Sequence, residues 1–117
     1  MRKIISGVVI LALMFSFVFD SLAWAKELTI GLSFPSLSFA WFSFLEQAVK
    51  EKAAKLGGIN VISLEAQNEV SKQISIVEDM ITKKVDGVLL VPIEVEAVVP
   101  AVEALNKANI PVVTVDR

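Results

Sequence analysis

The last nine residues, N-I-P-V-V-T-V-D-R, most constrain what this chain can fold into. Asn109 tolerates the left-handed turn that ends a helix, and Pro111 cannot continue one. Residues 112–115 form a β-branched run, which is typical of a strand covered on both faces. Asp116 and Arg117 follow at once. They place a carboxylate and a guanidinium at the carboxyl end of a strand, where open parallel α/β sheets bind ligands.

The same strand-and-helix alternation runs back to Lys26 with a repeat near thirty residues. Earlier strands are predicted at residues 28–32, 61–64 and 88–91, and alternation of this kind indicates βαβ units. The run at 88–91 is continuously apolar, which predicts a central parallel strand. Because crossovers are right-handed, we expect a three-layer Rossmann-like parallel sheet with strand order 2-1-3-4.

Three helices are predicted between these strands from apolar residues spaced three and four apart. The first ends at Gly57-Gly58, the second runs to about Lys84, and the third carries Pro100 in its first turn. The residues expected to face the sheet are Phe44, Leu45, Ala48, Val49, Ala53 and Leu56 in the first helix, Ile74, Val77 and Ile81 in the second, and Val98, Ala101, Val102, Leu105 and Ala108 in the third.

The first 25 residues are predicted to be a cleaved export signal. Arg2 and Lys3 precede an apolar run of 16 residues at 4–19, and Ala23-Trp24-Ala25 has the small residues that a signal peptidase reads. The run is shorter than the roughly 20 residues that span a bilayer. An uncleaved membrane anchor is the alternative. A cleaved signal leaves residues 26–117 as one domain in the periplasm.

Composition argues against several function classes. The chain has no histidine and no cysteine, which removes the usual neutral-pH base, the thiol nucleophile and most transition-metal ligands. No glycine-rich phosphate-binding motif follows any predicted strand. The net charge of −2 is not typical of a nucleic-acid-binding domain. We therefore expect a binding protein rather than an enzyme, with no cofactor, no metal and no nucleic-acid partner.

The loop that follows the first strand is rich in aromatic residues, and residues 33–44 contain Phe34, Phe39, Trp41, Phe42 and Phe44. Aromatic faces stack on the C–H face of a sugar. The hydroxyl-rich edge of a sugar suits carboxylate acceptors and guanidinium donors, such as Asp116 and Arg117. Phe44 is expected in the core. Asn68 is expected to cap the second helix, with ligand contact as the alternative.

Five segments together resemble the periplasmic sugar-binding proteins of the ribose/galactose type. They are T-I-G-L at 29–32, the pair Trp41-Phe42, E-A-Q-N at 65–68, V-D-G-V-L-L-V-P at 85–92 and the closing N-I-P-V-V-T-V-D-R. The resemblance covers the chain from residue 26 onward, and the closing segment is its most specific part. Such proteins are soluble receptors of ATP-driven importers and relatives of the ligand-binding core of lac-repressor-type regulators.

The resemblance implies a two-lobed protein that closes on a sugar, of which residues 26–117 supply part of the amino-terminal lobe. It also implies a membrane permease as partner, and a membrane association only through the export signal. We expect the chain by itself to bind sugars negligibly and to associate through its apolar surface. The ligand-binding residues that it implies or that chemistry favours are Phe39, Trp41, Phe42, Asn68, Asp116 and Arg117.

Three positions depart from the ribose-type pattern. Pro35 replaces a serine, Phe39 replaces an asparagine, and Val91 replaces an asparagine before Pro92. Each change removes a hydrogen-bonding side chain, which predicts a ligand less hydroxylated than ribose or bound in another orientation. Two alternative functions are a ligand-sensing ectodomain of a receptor or regulator with the same fold, and a Rossmann-type enzyme.

Overall fold

The computed structural model describes residues 26–116, so the predicted export signal at 1–25 and Arg117 lie outside the described residues. Four strands and three helices alternate along the described chain. They are β1 (Leu28–Phe34), α1 (Ala40–Leu56), β2 (Ile59–Glu65), α2 (Val70–Thr82), β3 (Gly87–Leu90), α3 (Val99–Lys107) and β4 (Val112–Thr114).

The four strands form one sheet in the order β2-β1-β3-β4, and every neighbouring pair is parallel. The predicted strand order and the central place of β3 are confirmed. Because all four strands run the same way, the loops after β1, β2 and β3 and the chain after β4 share one edge of the sheet. The sequence predicts the ligand residues at this carboxyl edge.

Two apolar clusters lie on opposite faces of the sheet and give the three layers. On the α1 face, Leu32, Phe34, Phe42 and Val91 form the buried cluster. On the α2–α3 face, Met80, Leu90 and Leu105 are fully buried within a larger cluster. Gly31 faces this second side, and a Cβ there would lie 2.6 Å from the Met80 sulfur, so a larger residue would require the Met80 side chain to shift.

The helix ends follow the predicted chemistry. Gly57 and Gly58 end α1 with φ of 71° and 66°, values that glycine adopts without steric cost. Asn109 takes the left-handed conformation after α3, with φ of 57°. Pro100 lies in the first turn of α3, where its missing N–H costs no helical hydrogen bond. No helix within residues 26–116 is both long and apolar enough to span a bilayer.

Two strand predictions need correction. β1 continues to Phe34, because Ser33 and Phe34 pair with the last two residues of β2, so Phe34 is a fully buried strand residue rather than a loop aromatic. β4 ends at Thr114 and is not covered on both faces, since Val113 is 62% exposed. Among the described residues β4 pairs only with β3, which leaves it at the edge of the sheet.

The first helix buries only part of the face that its sequence predicts, since Ala53 is buried but Ala48 is exposed. Phe44 and Leu56 are 63% and 62% exposed, so the expectation that Phe44 lies in the core was wrong. The reason is helical phase: Phe42 takes the core position, and Phe44 lies about 200° around the helix from it. Leu45 and Val49 continue the Phe42 stripe and are partly buried, as expected.

The other two helices need smaller corrections. In α2 the buried residues are Gln73, Ile76, Val77 and Met80, while Ile74 and Ile81 are only partly buried. The helix ends at Thr82, and its N-terminal cap position is Glu69, so the expected cap at Asn68 was wrong. Asn68 itself has a left-handed backbone with φ of 59°. In α3, Ala108 is exposed because the helix has ended at Lys107.

Asp86 fastens the amino edge of the sheet, opposite the carboxyl edge. Its backbone N–H donates to the Thr29 carbonyl at 2.7 Å, and its carboxylate accepts from the Thr29 N–H at 2.8 Å and from Lys26 Nζ at 2.6 Å. The hydrogen bond from Lys26, followed by that from Thr29, holds the pKa of the Asp86 carboxyl below its usual 3.8. Asp86 therefore ties the start of β1 to the start of β3 as a carboxylate.

Candidate functional site

A cavity of about 370 Å³ opens at the carboxyl edge of the sheet. It lies among the loop after β1, the start of α1, the loop after β2 and the loop after β3. Its lining residues are Pro35, Phe39, Trp41, Phe42, Asn68 and Ile93. The structure thus brings four of the predicted ligand residues, all but Asp116 and Arg117, around one cavity.

The aromatic wall of the cavity combines one buried ring with two exposed rings. Phe42 is 8% exposed, whereas Phe39 and Trp41 are 58% and 56% exposed. Phe42 contacts the fully buried Phe34 with ring centroids 6.2 Å apart, and Phe39 meets Phe42 edge-on with centroids 6.0 Å apart. Phe42 therefore links the exposed wall of the cavity to the core on the α1 face.

Hydrogen bonds from β2 and its following loop hold the aromatic loop in place. Glu65, the last residue of β2, accepts a hydrogen bond from the Leu37 N–H at 3.1 Å. The Asn68 N–H donates to the Pro35 carbonyl at 2.8 Å. The Ser43 hydroxyl donates to the Leu37 carbonyl, which joins the loop to the first turn of α1. The loop that carries Phe39 is therefore anchored at both ends.

Asn68 forms the second wall, and Gln67 precedes it in the loop after β2. Both have left-handed backbones, with φ of 55° and 59°, which turn the chain away from the sheet and into α2. Asn68 is exposed and lines the cavity. The Gln67 side chain instead accepts a hydrogen bond from Lys72 Nζ at 2.6 Å. Of these two neighbours, it is the Asn68 side chain that offers an amide to a ligand.

The third wall is Ile93, a residue that the sequence reasoning missed. Its N–H donates to the side-chain oxygen of Gln73 at 3.0 Å, and Gln73 is fully buried. The sequence held one signal for this contact, because Gln73 is a polar residue within the apolar spacing of a helix. Gln73 falls at the spacing of Ile76, Val77 and Met80, so periodicity places it on the buried face although its side chain is polar.

Asp116 lies at the same edge but does not line the cavity. Val115, its neighbour, donates its N–H to the Leu90 carbonyl at 3.0 Å and packs against the cluster that contains Phe42. Asp116 is exposed and has a left-handed backbone with φ of 78°. The chain after β4 therefore reaches the face on which the aromatic residues lie. Arg117 is outside the described residues.

Residues 26–116 contain no group of three or more His, Cys, Asp or Glu side chains that could hold a metal ion. The cavity lining offers aromatic and aliphatic faces and one side-chain amide. Such a lining suits an uncharged ligand with an apolar face and a few polar groups at its edge.

Residues 30–117 match the family model described as the periplasmic binding protein domain. The chain belongs to this periplasmic binding protein family.

Relatives of this periplasmic binding protein chain include the ribose import binding protein of Bacillus subtilis, which is 47% identical over 92 residues. That match covers 79% of this chain and 30% of the relative. The chain thus spans less than a third of the length of that relative. The family is one of binding proteins, as expected from the lack of catalytic motifs.

Solved structures of the family share the fold. An ABC transporter solute-binding protein from Bacillus halodurans with bound myo-inositol has a TM-score of 0.74 and 28% identity, and the match covers 81% of this chain and 33% of that one. A periplasmic solute-binding protein from Actinobacillus succinogenes with bound D-allose has a TM-score of 0.71 and 32% identity, with 76% and 32% covered. The sheet with its three helices is thus a partial domain of the type I periplasmic binding fold.

Proposed function

We propose that this chain is part of the solute-binding component of an ABC-type sugar importer, and that its cavity contributes one side of a site for a monosaccharide or similar small polyol. One observation carries the proposal: Phe39, Trp41, Phe42 and Asn68 line a single cavity at the carboxyl edge of a parallel sheet. Relatives named for ribose import and structures titled with bound sugars or inositol support it.

The proposed roles follow from the chemistry of each side chain. Trp41 and Phe39 offer exposed aromatic faces for the C–H face of a ring, and Phe42 closes the cavity beneath them. Asn68 offers both a donor and an acceptor to hydroxyl groups. Asp116 accepts from adjacent hydroxyls and Arg117 donates to ring and hydroxyl oxygens. Both residues follow β4 in the sequence.

The choice of ligand is narrowed by three apolar substitutions. Pro35 and Phe39 both line the cavity, and Val91 is fully buried beside it in the cluster with Phe42. Where the ribose-type pattern has hydroxyl and amide side chains, this cavity has apolar atoms. The proposed ligand is therefore less hydroxylated than ribose, or bound in another orientation.

The proposal also covers the export of the protein and its role in transport. Residues 1–25 act as a cleaved export signal that delivers residues 26–117 to the periplasm. The full-length protein presents its ligand to a membrane permease and catalyses no reaction. A sensing ectodomain would use the same fold, but the relatives named above are import and solute-binding proteins, which favours the importer.

A hybrid protein tests the proposal. Residues 26–117 of this chain replace the matching segment of the Bacillus subtilis ribose import binding protein, which supplies the remaining two-thirds of a full-length receptor. Calorimetry with ribose, 2-deoxyribose, D-allose and myo-inositol should give a Kd of about 1 μM or below for at least one of them. The unaltered Bacillus subtilis protein with ribose is the control. A hybrid that unfolds cooperatively but binds none of the four contradicts the proposal.

A further inference from the structure

We infer that Gln73 is a positioning residue for the cavity, in that its buried side-chain amide fixes the loop that carries Ile93. The inference deepens the proposed function and rests on it for the identity of the ligand. Gln73 lies on α2, is fully buried and does not line the cavity. Any effect that it has on a ligand must therefore act through the residues that it holds.

Each polar atom of the Gln73 side chain has a partner at the carboxyl edge of the sheet. Its Nε2 donates to the Val91 carbonyl at 2.9 Å and to the Ser33 hydroxyl at 3.3 Å. Its Oε1 accepts from the Ile93 N–H at 3.0 Å. One side chain thus connects α2 with the end of β1, the end of β3 and the wall of the cavity.

The loop after β3 needs such a partner because its own backbone cannot extend the sheet. The Val91 N–H donates to the Ser33 carbonyl at 2.9 Å, which continues the pairing of β3 with β1 one residue beyond Leu90. Pro92 follows and has no N–H to donate. The Gln73 amide takes over at this point and supplies an acceptor for Ile93 and a donor for Val91. A side chain of α2 therefore helps to fix the position of Ile93.

Amide hydrogen exchange of the full chain without ligand tests this positioning role directly. Gln73→Met keeps the length of the side chain but removes its donor and its acceptor. We expect the Ile93 N–H to exchange about tenfold faster than in the wild type when rates are normalised to the amides of β3. Gln47→Met is the matched control, because Gln47 is exposed on α1 and bonds only to Glu51 among the described hydrogen bonds.

A second variant covers the case in which Gln73→Met does not fold. Gln73→Glu, measured at about pH 4 where burial keeps the introduced carboxyl protonated, retains an acceptor for the Ile93 N–H and an O–H donor for the Val91 carbonyl. Slow Ile93 exchange in this variant supports the positioning role. Fast Ile93 exchange in Gln73→Glu overturns it. Ile93 exchange in Gln73→Met that is unchanged, or that rises only as much as the exchange of the β3 amides, also overturns it.

The hybrid receptor then tests the effect on binding. In a hybrid that binds D-allose or another sugar, Gln73→Met should raise Kd about tenfold, while Gln47→Met should leave Kd unchanged. An unchanged Kd in Gln73→Met overturns the inference. If the unmodified hybrid binds no sugar, the proposed function fails, and the exchange result on the ligand-free chain still decides whether Gln73 fixes the Ile93 loop.

Discussion

The ring of Phe39 meets the ring of Phe42 edge-on, with centroids 6.0 Å apart and planes at 79°, although one ring is 58% exposed and the other 8%. Edge-to-face pairs of this kind are worth about 1 kcal/mol beyond the area that they bury. A ring open to solvent is thus fixed against a ring of the core. The Phe39–Phe42 contact therefore helps to fix this part of the aromatic wall of the cavity.

Trp41→Ala should weaken sugar binding at a small cost to the fold. The indole lines the cavity and is 56% exposed, so its removal costs an aromatic contact to the ligand and, within the fold, its stacking on Phe44 with ring centroids 6.1 Å apart. In the hybrid receptor we expect Kd to rise about tenfold and the free energy of unfolding to fall by about 1 kcal/mol or less. Calorimetry and urea unfolding measure the two effects.

The control for Trp41 is Leu56→Ala, a side chain of the same helix that is 62% exposed and remote from the cavity lining. It should alter neither quantity. A Trp41→Ala hybrid that binds as tightly as its parent would remove Trp41 from the proposed site.

Glu65→Leu should loosen the aromatic loop. The Glu65 carboxylate accepts the Leu37 N–H at 3.1 Å, and its loss should reduce the free energy of unfolding by about 1 kcal/mol. Because the loop carries Phe39, Kd for the sugar should also rise, by about fivefold. Glu65→Gln keeps a carbonyl acceptor and should behave nearly as the wild type.

Glu51→Leu serves as the comparison for Glu65, since Glu51 is exposed on α1 and accepts a hydrogen bond only from Gln47 among the described bonds. Equal losses of affinity in Glu65→Leu and Glu65→Gln would show that charge, and not the Leu37 hydrogen bond, is what matters.

Gly31→Ala should destabilise the protein by about 1–3 kcal/mol, because the added Cβ would lie 2.6 Å from the Met80 sulfur in a fully buried region. Met80→Ala removes the obstructing side chain at a cost of its own. In a double-mutant cycle measured by urea unfolding, Gly31→Ala should cost less in the Met80→Ala background than in the wild type. Additive costs would contradict the close approach of α2 to β1 at this point.

Stability should depend on the ionisation of Asp86 in acid. Its pKa is lowered in the folded chain by the hydrogen bonds from Lys26 and Thr29. A lowered pKa means that the charged form stabilises the fold above the usual value of 3.8, and that this contribution is lost as pH falls through the folded pKa. Asp86→Asn should therefore be less stable than the wild type at pH 7, and the difference should shrink toward about pH 3.

Urea unfolding at both pH values measures that difference, and Asp79→Asn, which removes a carboxylate from an exposed position of α2, is the control. A gap between wild type and Asp86→Asn that stays constant from pH 7 to pH 3 would rule out the proposed role of the charge.

Much of this architecture is readable from local chemistry. Residues that end helices, such as Gly57 and Asn109, act through their own backbone freedom and need no tertiary information. The continuous apolar run of β3 likewise indicates a central parallel strand by itself. The carboxyl edge follows from that parallel arrangement, and the aromatic content of its first loop together with the resemblance to sugar-binding proteins points to Phe39, Trp41, Phe42 and Asn68 there.

What the sequence could not predict depends on contacts across the sheet. The phase of α1, which buries Phe42 and exposes Phe44, depends on where the helix begins after an irregular loop. The burial of Gln73 depends on partners from β1 and β3 that lie 40 and 18 residues away in the chain. Periodicity carries no information about such partners.

The paired hydrogen bonds between Asp86 and Thr29 have a mechanical consequence. They join β1 to β3 at the end of the sheet opposite the cavity. The amino ends of these two strands are therefore held together by contacts that are separate from those of the loops around the cavity.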